Sequence, residues 1–339
     1  MDISQIAHIG GVATYTQELA THLEDFEDLP AGRQGLEMVY FYSSFRKPYK
    51  GDLKNVKKYK LPPTIFEMLF NTWRSVGIEK FIGPVDVFHS SDWTQPPSKA
   101  KKVTTYHDLV PIIHQEWSHP KIVAVAKRRL KLVEKEIDSV ICVSKSTMND
   151  LVNNSKIPKE KMTVIYEGVG EQFKPQSVAD IEKFKKKMNL PDEFVLAIGG
   201  VGERRNLKMV REAAKDYNLV ITGQTIPWIS YEDMPLLYAS AKILLYPSFY
   251  EGFGLPILET MACGVPVVTS NVSSMPEAGG DAALYIDPKD VDDIKKKLDQ
   301  IMEDKDLRDD LIKKGFAQSK KFTWKKCAEE TAEVYRKLI

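Results

Sequence analysis

The sequence has little cysteine and almost no net charge. Its three cysteines, Cys142, Cys263 and Cys327, are scattered through the chain without a Cys-x-x-Cys spacing. This pattern argues against a disulfide framework and against a structural metal, and it favours a reducing compartment. The formal net charge of +1 argues against a general nucleic-acid binder, so nucleic acid is not expected as a partner.

Long apolar runs and targeting segments are also missing from the sequence. No apolar run approaches the roughly 20 residues that a membrane span needs. Residues 1–11 contain no basic region followed by an apolar core, so they do not resemble a signal peptide. We therefore expect a cytoplasmic protein. A hydrophobic fraction of 43% and a charged fraction of 28% are typical of globular proteins, and 339 residues suffice for two domains.

Short apolar segments alternate with amphipathic helical stretches along most of the chain. This alternation predicts two parallel, doubly wound sheets of the α/β class. The predicted strands are residues 36–42, 85–89, 102–106, 139–144, 162–166, 193–198, 217–222, 241–247 and 265–270. The predicted helices are residues 12–23, 122–136, 147–153, 206–214, 255–262, 291–302 and 324–338. Strand signals pause between Glu167 and Leu190, which places the domain boundary there, and residues 29–35 form a predicted exposed loop.

The segment 250–266, YEGFGLPILETMACGVP, is the most informative in the chain. Pro256 suits the first turn of a helix, and Gly264 marks its end. The preceding glycines therefore approach a helix N-terminus, which favours an anion such as phosphate. Glu259 is expected in the first helical turn, with Glu251 just before the helix. Two carboxylates beside an anion site suit hydroxyl groups of the same ligand, so the pattern indicates a nucleotide sugar.

This segment resembles the C-terminal signature of the family 4 retaining glycosyltransferases, the glycosyl transferases group 1, with its Glu-x7-Glu pair. The resemblance continues through residues 276–277 and 281–284. It implies the GT-B fold, in which two Rossmann-like domains face a cleft. The implied domains are an acceptor-side domain at 1–170, a nucleotide-sugar-binding domain at 171–322, and a C-terminal helix at 323–339 that could pack back on the first domain.

A glycine-rich turn followed by two arginines marks a second phosphate-binding candidate. Glycines 199, 200 and 202 follow a predicted strand, and Arg204 and Arg205 precede a predicted helix. Glycines let the backbone approach a ligand, and arginine suits phosphate oxygens. The segment is similar to the family's glycine-x4-Arg-Lys-Asn segment, whose basic residues bind the donor diphosphate, although Arg205 stands where the family usually has lysine. The alternative is a pair of arginines at a solvated helix start.

Further site residues follow from the first half of the chain. Gly10 and Gly11 precede a predicted amphipathic helix and resemble the family's first glycine loop, which lies against the donor phosphates and the acceptor. His107 ends a predicted parallel strand, where ligands bind, and the family's histidine at this point contacts the transferred sugar. Asp108 either orients the imidazole or caps the next segment. Ser144 is a weaker strand-end candidate.

The resemblance implies transfer of a hexose with retention at the anomeric carbon, by front-face attack. His107 and Glu251 are the predicted catalytic residues. The predicted donor site is formed by Gly10, Gly11, Arg204, Arg205, Phe253, Gly254, Leu255 and Glu259. The opening residues and the Glu-x7-Glu segment look most like mannosyltransferases of bacterial surface polysaccharides, so GDP-mannose is the favoured donor. No Asp-x-Asp motif lies in a loop after a strand, and neither a metal nor a cofactor is expected.

The expected acceptor is a saccharide or a lipid-linked saccharide. Residues 46–60 hold seven basic residues and only Asp52 as an acid, so this segment could contact an anionic membrane at its inner face, or could simply be a solvated surface. A sugar-nucleotide epimerase or hydrolase, or a non-catalytic nucleotide-sugar-binding relic, are the alternative functions. Two departures from the family are a short first strand, since Met1 nearly abuts Ile3, and a short segment between Tyr217 and Ala241 near the nucleotide base.

Overall fold

A computed structural model describes residues 1–8, 10–26, 35–200 and 202–339, and all of Pro63 except its side chain. Most of the predicted loop at 29–35 lies outside the described residues. The chain divides into two compact units, which are Met1–Gly168 with Trp324–Ile339 (unit 1) and Val169–Thr323 (unit 2). These limits lie close to the boundaries 170/171 and 322/323 that the sequence suggested.

Eleven strands lie within the described residues. They are β1 (Tyr40–Ser43), β2 (Val56–Tyr59), β3 (Val87–Ser90), β4 (Lys101–Tyr106), β5 (Ser139–Cys142), β6 (Met162–Val164), β7 (Val195–Ala197), β8 (Leu219–Ile221), β9 (Ile243–Tyr246), β10 (Val267–Ser270) and β11 (Ala283–Ile286). Each of the nine predicted strands overlaps one of these. The sequence did not predict β2, whose exposed lysines break the apolar pattern, or β11.

Fourteen α-helices lie within the same residues. They are α1 (Gly11–Leu23), α2 (Pro63–Glu67), α3 (Glu79–Ile82), α4 (Val110–Ile113), α5 (Pro120–Glu136), α6 (Lys145–Asn154), α7 (Val178–Met188), α8 (Leu207–Ala213), α9 (Met234–Ser240), α10 (Leu255–Ala262), α11 (Met275–Gly279), α12 (Val291–Glu303), α13 (Lys305–Ser319) and α14 (Trp324–Arg336). A π-helix, Met68–Trp73, continues α2. All seven predicted helices are present.

Unit 1 contains a four-stranded parallel sheet, in the order β3-β4-β5-β6, and a parallel pair, β1-β2. Residues 1–3 lie between them, because Asp2 donates its N–H to the carbonyl of His89 and Ile3 donates to the carbonyl of Phe41. The short first strand expected from the sequence is thus a single bridge, Asp2 to Phe41. The chain passes from this segment to β1 and β2 on one side and to β3 on the other.

Unit 2 contains one five-stranded parallel sheet in the order β11-β10-β9-β7-β8. From β7 the chain adds β8 on one side, and then β9 on the other. In such sheets, ligands bind beyond the carboxyl ends of the strands where the order reverses. The analogous reversal in unit 1 lies between residues 1–3 and β3. The topology therefore marks one candidate ligand position in each unit.

Buried aliphatic side chains on both faces of each sheet form the cores. In unit 2, Val195, Leu245 and Val268 pack against Ile294 and Leu298 of α12. In unit 1, Val140 and Cys142 pack against Leu130 and Val133 of α5. A second cluster of phenylalanines, including Phe41, Phe66 and Phe70, packs α2 and the π-helix against β1. These cores hold the strand ends, from which the site residues project.

Candidate active site

In the glycine turn after β7 in unit 2, neighbouring atoms lie very close to the backbone. A Cβ on Gly199 would lie 1.9 Å from the carbonyl oxygen of Thr222, so no larger residue fits there without a backbone shift. A Cβ on Gly200 would lie 3.0 Å from Cγ of Arg205. Asn206 closes the turn in a left-handed conformation, and its amide donates to the carbonyls of Pro247 and Pro288. The turn is therefore fastened to the loop that follows β9.

Arg205 and Glu251 meet at the carboxyl ends of β7 and β9. Their atoms Nη1 and Oε1 lie 2.8 Å apart, and both side chains are largely buried. The guanidinium also lies over the ring of Tyr246, with Cζ 5.0 Å from the centroid. Burial lowers the pKa of Arg205, whereas the charge of Glu251 acts to raise it. Neither of the paired atoms has a hydrogen bond of good geometry among the described residues, so each keeps capacity for a ligand.

The backbone of Glu251 is clamped by two serines. Ser273 and Ser274 both donate their hydroxyls to the Glu251 carbonyl, at 2.8 and 2.9 Å, and the N–H of Glu251 donates to Ser273 Oγ. Gly254 then precedes α10 with a φ of +109°, a conformation that favours glycine. Phe253 and Leu255 are buried on either side of it. The clamp fixes the backbone of Glu251 shortly before the N-terminus of α10.

Glu259 does not lie in the first helical turn, where the sequence predicted it. It lies in the second turn of α10, because the helix begins at Leu255, and not in the first turn. Its side chain is buried, and Oε2 accepts a hydrogen bond of 2.9 Å from the Tyr238 hydroxyl. Burial, followed by the charge of Glu259, raises the pKa of Tyr238 well above its usual value, which keeps this hydroxyl a donor. Pro256 does occupy the first turn, and Gly264 ends the helix region with a φ of +80°, as expected.

In unit 1, Gly10 and Gly11 open α1. Gly10 has φ +130° and ψ 178°, a region that is essentially restricted to glycine. A Cβ built on either glycine meets nothing within 4 Å among the described residues. The N-terminus of α1 therefore faces open space, into which its first N–H groups can donate.

His107 lies immediately after β4, and its side-chain partner is Glu167. The distance from His107 Nδ1 to Glu167 Oε1 is 3.1 Å, and both side chains are largely buried. Burial alone would lower the pKa of His107, but the hydrogen bond and the charge of Glu167 outweigh it and raise this pKa. Glu167 thus favours the protonated form of the imidazole, and no motif in the sequence indicated this carboxylate. Glu167 follows β6, so the strand-end rule applied to His107 could have found it.

Two neighbouring residues prove to be helix-start residues. Asp108 Oδ1 accepts the N–H of Val110 at 3.0 Å, which is the capping alternative of its two predicted roles. Ser144 is fully buried at the N-terminus of α6, where its hydroxyl oxygen accepts the N–H of Thr147 at 3.0 Å. The same hydroxyl donates to Thr147 Oγ1 at 3.0 Å, so its hydrogen bonds are used at the helix start, and a contact with a ligand stays a prediction.

A buried hydrogen-bond chain fastens α14 beneath the histidine. Tyr335 OH lies 2.6 Å from His89 Nδ1, and His89 Nε2 lies 2.9 Å from Thr105 Oγ1. Thr105 in turn bonds the hydroxyl of Tyr15, whose ring contacts His107 edge-on with centroids 4.6 Å apart. Burial lowers the pKa of His89 to about 3, so this imidazole stays neutral. The chain supports the His107 ring through Tyr15.

A pocket of about 290 Å³ lies at the strand-order reversal of unit 1. Its lining combines polar groups with aromatic rings: Asp2, Ser4, Gln5, His8, Phe41, Ser43, Phe66, Ser91, Trp93 and Thr94. The indole Nε1 of Trp93 is buried without a hydrogen-bond partner among the described residues. Hydroxyl-rich ligands suit such a lining, because it combines aromatic rings with polar side chains and this donor. No pattern in the sequence indicated this pocket.

In the described part of the chain, no group of three or more His, Cys, Asp or Glu side chains is placed to hold a metal ion. No helix there combines the length and apolarity that crossing a membrane requires.

Two family descriptions match the chain. "Glycosyl transferases group 1" matches residues 149–318, and "Glycosyltransferase Family 4" matches residues 9–173. A relative from Escherichia coli, the O-antigen chain mannosyltransferase B, is 32% identical over 290 aligned positions that cover 74% of each chain. The serotype-specific mannosyltransferase WbdA of the same organism is 27% identical over 70% of this chain, which spans only 34% of WbdA.

A solved structure gives the fold. Sucrose-phosphate synthase from Thermosynechococcus elongatus superposes with a TM-score of 0.76 over 100% of this chain and 97% of that chain, at 20% identity. The two parallel Rossmann-like sheets agree with this likeness and have the GT-B fold class that the sequence predicted. With family matches across both units and a relative above 30% identity, the chain belongs to the group 1 glycosyltransferases of family 4.

Proposed function

We propose that the protein transfers mannose from GDP-mannose, with retention at the anomeric carbon, to a saccharide or lipid-linked saccharide. The observation that carries the donor site is the Arg205–Glu251 pair at the strand-order reversal of unit 2. A nucleotide-sugar enzyme needs a cation for the diphosphate and a carboxylate for sugar hydroxyls, and both stand there. The names of the E. coli relatives support mannose as the sugar.

The roles on the donor side follow from charge and position. Arg204, Arg205 and the N–H groups of Gly254 and Leu255 stabilise the charge that builds on the leaving diphosphate, because preorganised donors act strongly in a dry site. On binding, Arg205 turns part of its fork from Glu251 toward the phosphate. Glu251 then accepts hydrogen bonds from hydroxyl groups of the hexose, and Glu259 holds the ribose or the sugar.

In unit 1, His107 contacts the transferred sugar as a hydrogen-bond donor. A protonated imidazole suits this role, since Glu167 raises its pKa. Gly10 and Gly11 present N–H groups at the start of α1 to the donor phosphates. A phosphate oxygen of the donor takes the proton of the acceptor hydroxyl as the new bond forms, so no protein base is required at that step.

The pocket of unit 1 holds a sugar ring of the acceptor. Its 290 Å³ is near the lower end of small-molecule sites, which suits one ring of a chain rather than a large ligand. A lipid-linked acceptor also implies peripheral contact with an anionic membrane, for which the basic segment 46–60 is the candidate.

Thermal unfolding with GDP, UDP, ADP and their common sugar conjugates tests the donor. A ligand at about 100 times its dissociation constant adds about 2.7 kcal/mol and should raise the midpoint by several degrees. We expect GDP and GDP-mannose to do so. A shift with UDP and its conjugates alone would indicate a UDP-sugar as the donor in place of GDP-mannose. The absence of any shift in a folded sample would favour a non-catalytic relic.

Turnover assays then test the reaction class. GDP release from GDP-mannose should accelerate when a mannose-terminated oligosaccharide is added, and NMR of the product should show the α-anomer of the donor retained. Conversion of the sugar without any acceptor would instead indicate an epimerase. An inverted anomer would overturn the retaining mechanism while leaving the transferase intact.

A further inference from the structure

The helix formed by α2 and the π-helix, residues 63–73, has an apolar face turned to solvent. Phe66 and Phe70 are buried in the core of unit 1. On the opposite face Ile65, Met68 and Trp73 are 40, 41 and 62% exposed. We call these three side chains the apolar helix face. Exposed apolar side chains grouped on one helix face are characteristic of interaction sites, whereas isolated ones need no explanation.

A segment rich in basic residues precedes this helix in the sequence. The basic segment, residues 46–60, contains Arg46, Lys47, Lys50, Lys54, Lys57, Lys58 and Lys60, all of which are exposed. β1 and β2 are parallel, so the residues that follow each strand lie at the same end of the pair. Phe45, which is 56% exposed, follows β1, and Lys60 and the helix start follow β2. Arg46, Lys47 and Lys60 therefore lie at the same end of the strand pair as Phe45 and the helix start, and Lys57 and Lys58 lie within β2.

We propose that the apolar helix face and the basic segment together dock unit 1 on an anionic lipid surface. Interfacial helices insert apolar side chains at the headgroup boundary while flanking lysines attract anionic lipid, and tryptophan is enriched at that depth. Lysines on the edge strand β2 also hinder edge pairing, but that function does not require an exposed Trp73. Asp52 is the only acid in the basic segment, and Glu67 of the helix is buried and paired with Arg128.

The surface also connects with the acceptor pocket. Phe66 lines the pocket from the buried side of the same helix, and Asn71 donates to the carbonyl of Trp93, another lining residue. Lipid docking on one face of the helix therefore acts on an element that shapes the pocket. The inference rests on the proposed function only for the lipid-linked nature of the acceptor.

Vesicle sedimentation without donor or acceptor tests the docking directly. The full chain should bind vesicles of phosphatidylglycerol and phosphatidylcholine, and bind pure phosphatidylcholine at least tenfold more weakly. The triple variant Ile65→Ser, Met68→Ser, Trp73→Ser and the double variant Arg46→Glu, Lys60→Glu should each lose at least tenfold in partitioning. Equal binding to both vesicle types, or unchanged binding by the triple variant, would overturn the proposal.

A matched pair of tryptophans provides a site-specific readout. Trp73 and Trp228 are similarly exposed, at 62 and 64%, but belong to different units. Trp228→Ser should leave vesicle binding unchanged, and the blue shift of emission on adding anionic vesicles should persist in Trp228→Ser and vanish in Trp73→Ser. If the blue shift of emission persists in Trp73→Ser, another tryptophan contacts the lipid and the apolar helix face is not the docking surface. Thermal shifts with GDP should be unaffected in Trp73→Ser and in the triple and double variants, all of which lie in unit 1, so failure of docking is separable from failure of the donor site.

Discussion

Each unit holds a buried pair of a basic group and a carboxylate near the end of a parallel strand, but the two pairs differ in what they can do. In unit 1 the basic group is His107, whose pKa is raised by Glu167 although burial opposes this. In unit 2 the cation is Arg205, which stays charged even though burial lowers its pKa. Unit 1 therefore offers a titratable donor, and unit 2 offers a fixed charge. Under the proposed function, the fixed charge of Arg205 would serve the leaving diphosphate, and the titratable donor His107 would serve a hydroxyl group.

The largest effect should come from breaking the fixed-charge pair with Glu251→Gln. The amide keeps the shape but neither neutralises Arg205 nor accepts sugar hydroxyls as strongly, so we expect kcat to fall by about 10²–10³. Initial-rate kinetics with GDP-mannose measure this. Near-normal turnover would remove Glu251 from the catalytic residues.

Glu251→Ala is the harsher comparison, because it leaves a buried guanidinium without its partner. Loss of one member of a buried ion pair costs about 3–5 kcal/mol. Denaturant unfolding should therefore show a clear loss for Glu251→Ala and a smaller one for Glu251→Gln. Equal stabilities would mean that the pair is not formed in solution.

The titratable pair should respond to pH. In Glu167→Gln the carboxylate that retains the His107 proton is gone, so the pKa of His107 should fall and the alkaline limb of kcat should move to lower pH. We expect about tenfold lower kcat near pH 8 and a smaller loss near pH 6. His107→Ala should lower activity at both pH values, which separates positioning by Glu167 from contact by His107. A flat difference across pH would contradict a protonated histidine.

The same pair makes a prediction for stability. A histidine with a raised native pKa stabilises the fold fully below its unfolded pKa of about 6.5, and this contribution is lost as pH rises through the native pKa. The free energy of unfolding should therefore differ more between the wild type and Glu167→Gln at pH 5.5 than at pH 9. The reverse order would show that Glu167 holds a neutral imidazole.

Much of the fold could be predicted because its signals are local. Apolar strands alternate with amphipathic helices, and glycine and proline mark the ends of α10, so its bounds were predicted residue for residue. β2 could not be predicted, because Lys57 and Lys58 on an edge strand resemble a charged loop. The pairings within the site were equally invisible, since Glu167 is 60 residues from His107 and Arg205 is 46 from Glu251. Strand-end position identifies candidates, but only the folded sheet decides which of them meet.

Gly10 and Gly11 allow two reasons for glycine to be tested separately: a backbone conformation that other residues avoid, and close contact with a ligand. Gly10→Ala forces alanine into a region that costs about 1–3 kcal/mol, so the midpoint of thermal unfolding should fall. Gly11→Ala lies in a helical conformation facing open space, so folding should be unchanged or slightly improved. If the donor lies against α1, Gly11→Ala should still raise the KM for GDP-mannose. An unchanged KM in a stable Gly11→Ala protein would move the donor away from this turn.

The smallest expected effect concerns Glu259, whose carboxylate bonds Tyr238 within unit 2 rather than standing at the helix start. Tyr238→Phe removes a hydrogen bond to a buried carboxylate, which should lower the free energy of unfolding by about 1.5–3 kcal/mol. Glu259→Gln keeps an oxygen that can accept from Tyr238 but loses the charge. If Glu259 also grips donor hydroxyls, Glu259→Gln should weaken binding of GDP-mannose several-fold, while Tyr238→Phe leaves it nearly unchanged. Calorimetry measures both affinities for GDP-mannose. If the two variants bind it equally weakly, Tyr238 and Glu259 act as one unit, and the hydrogen bond from Tyr238 serves to orient the carboxylate.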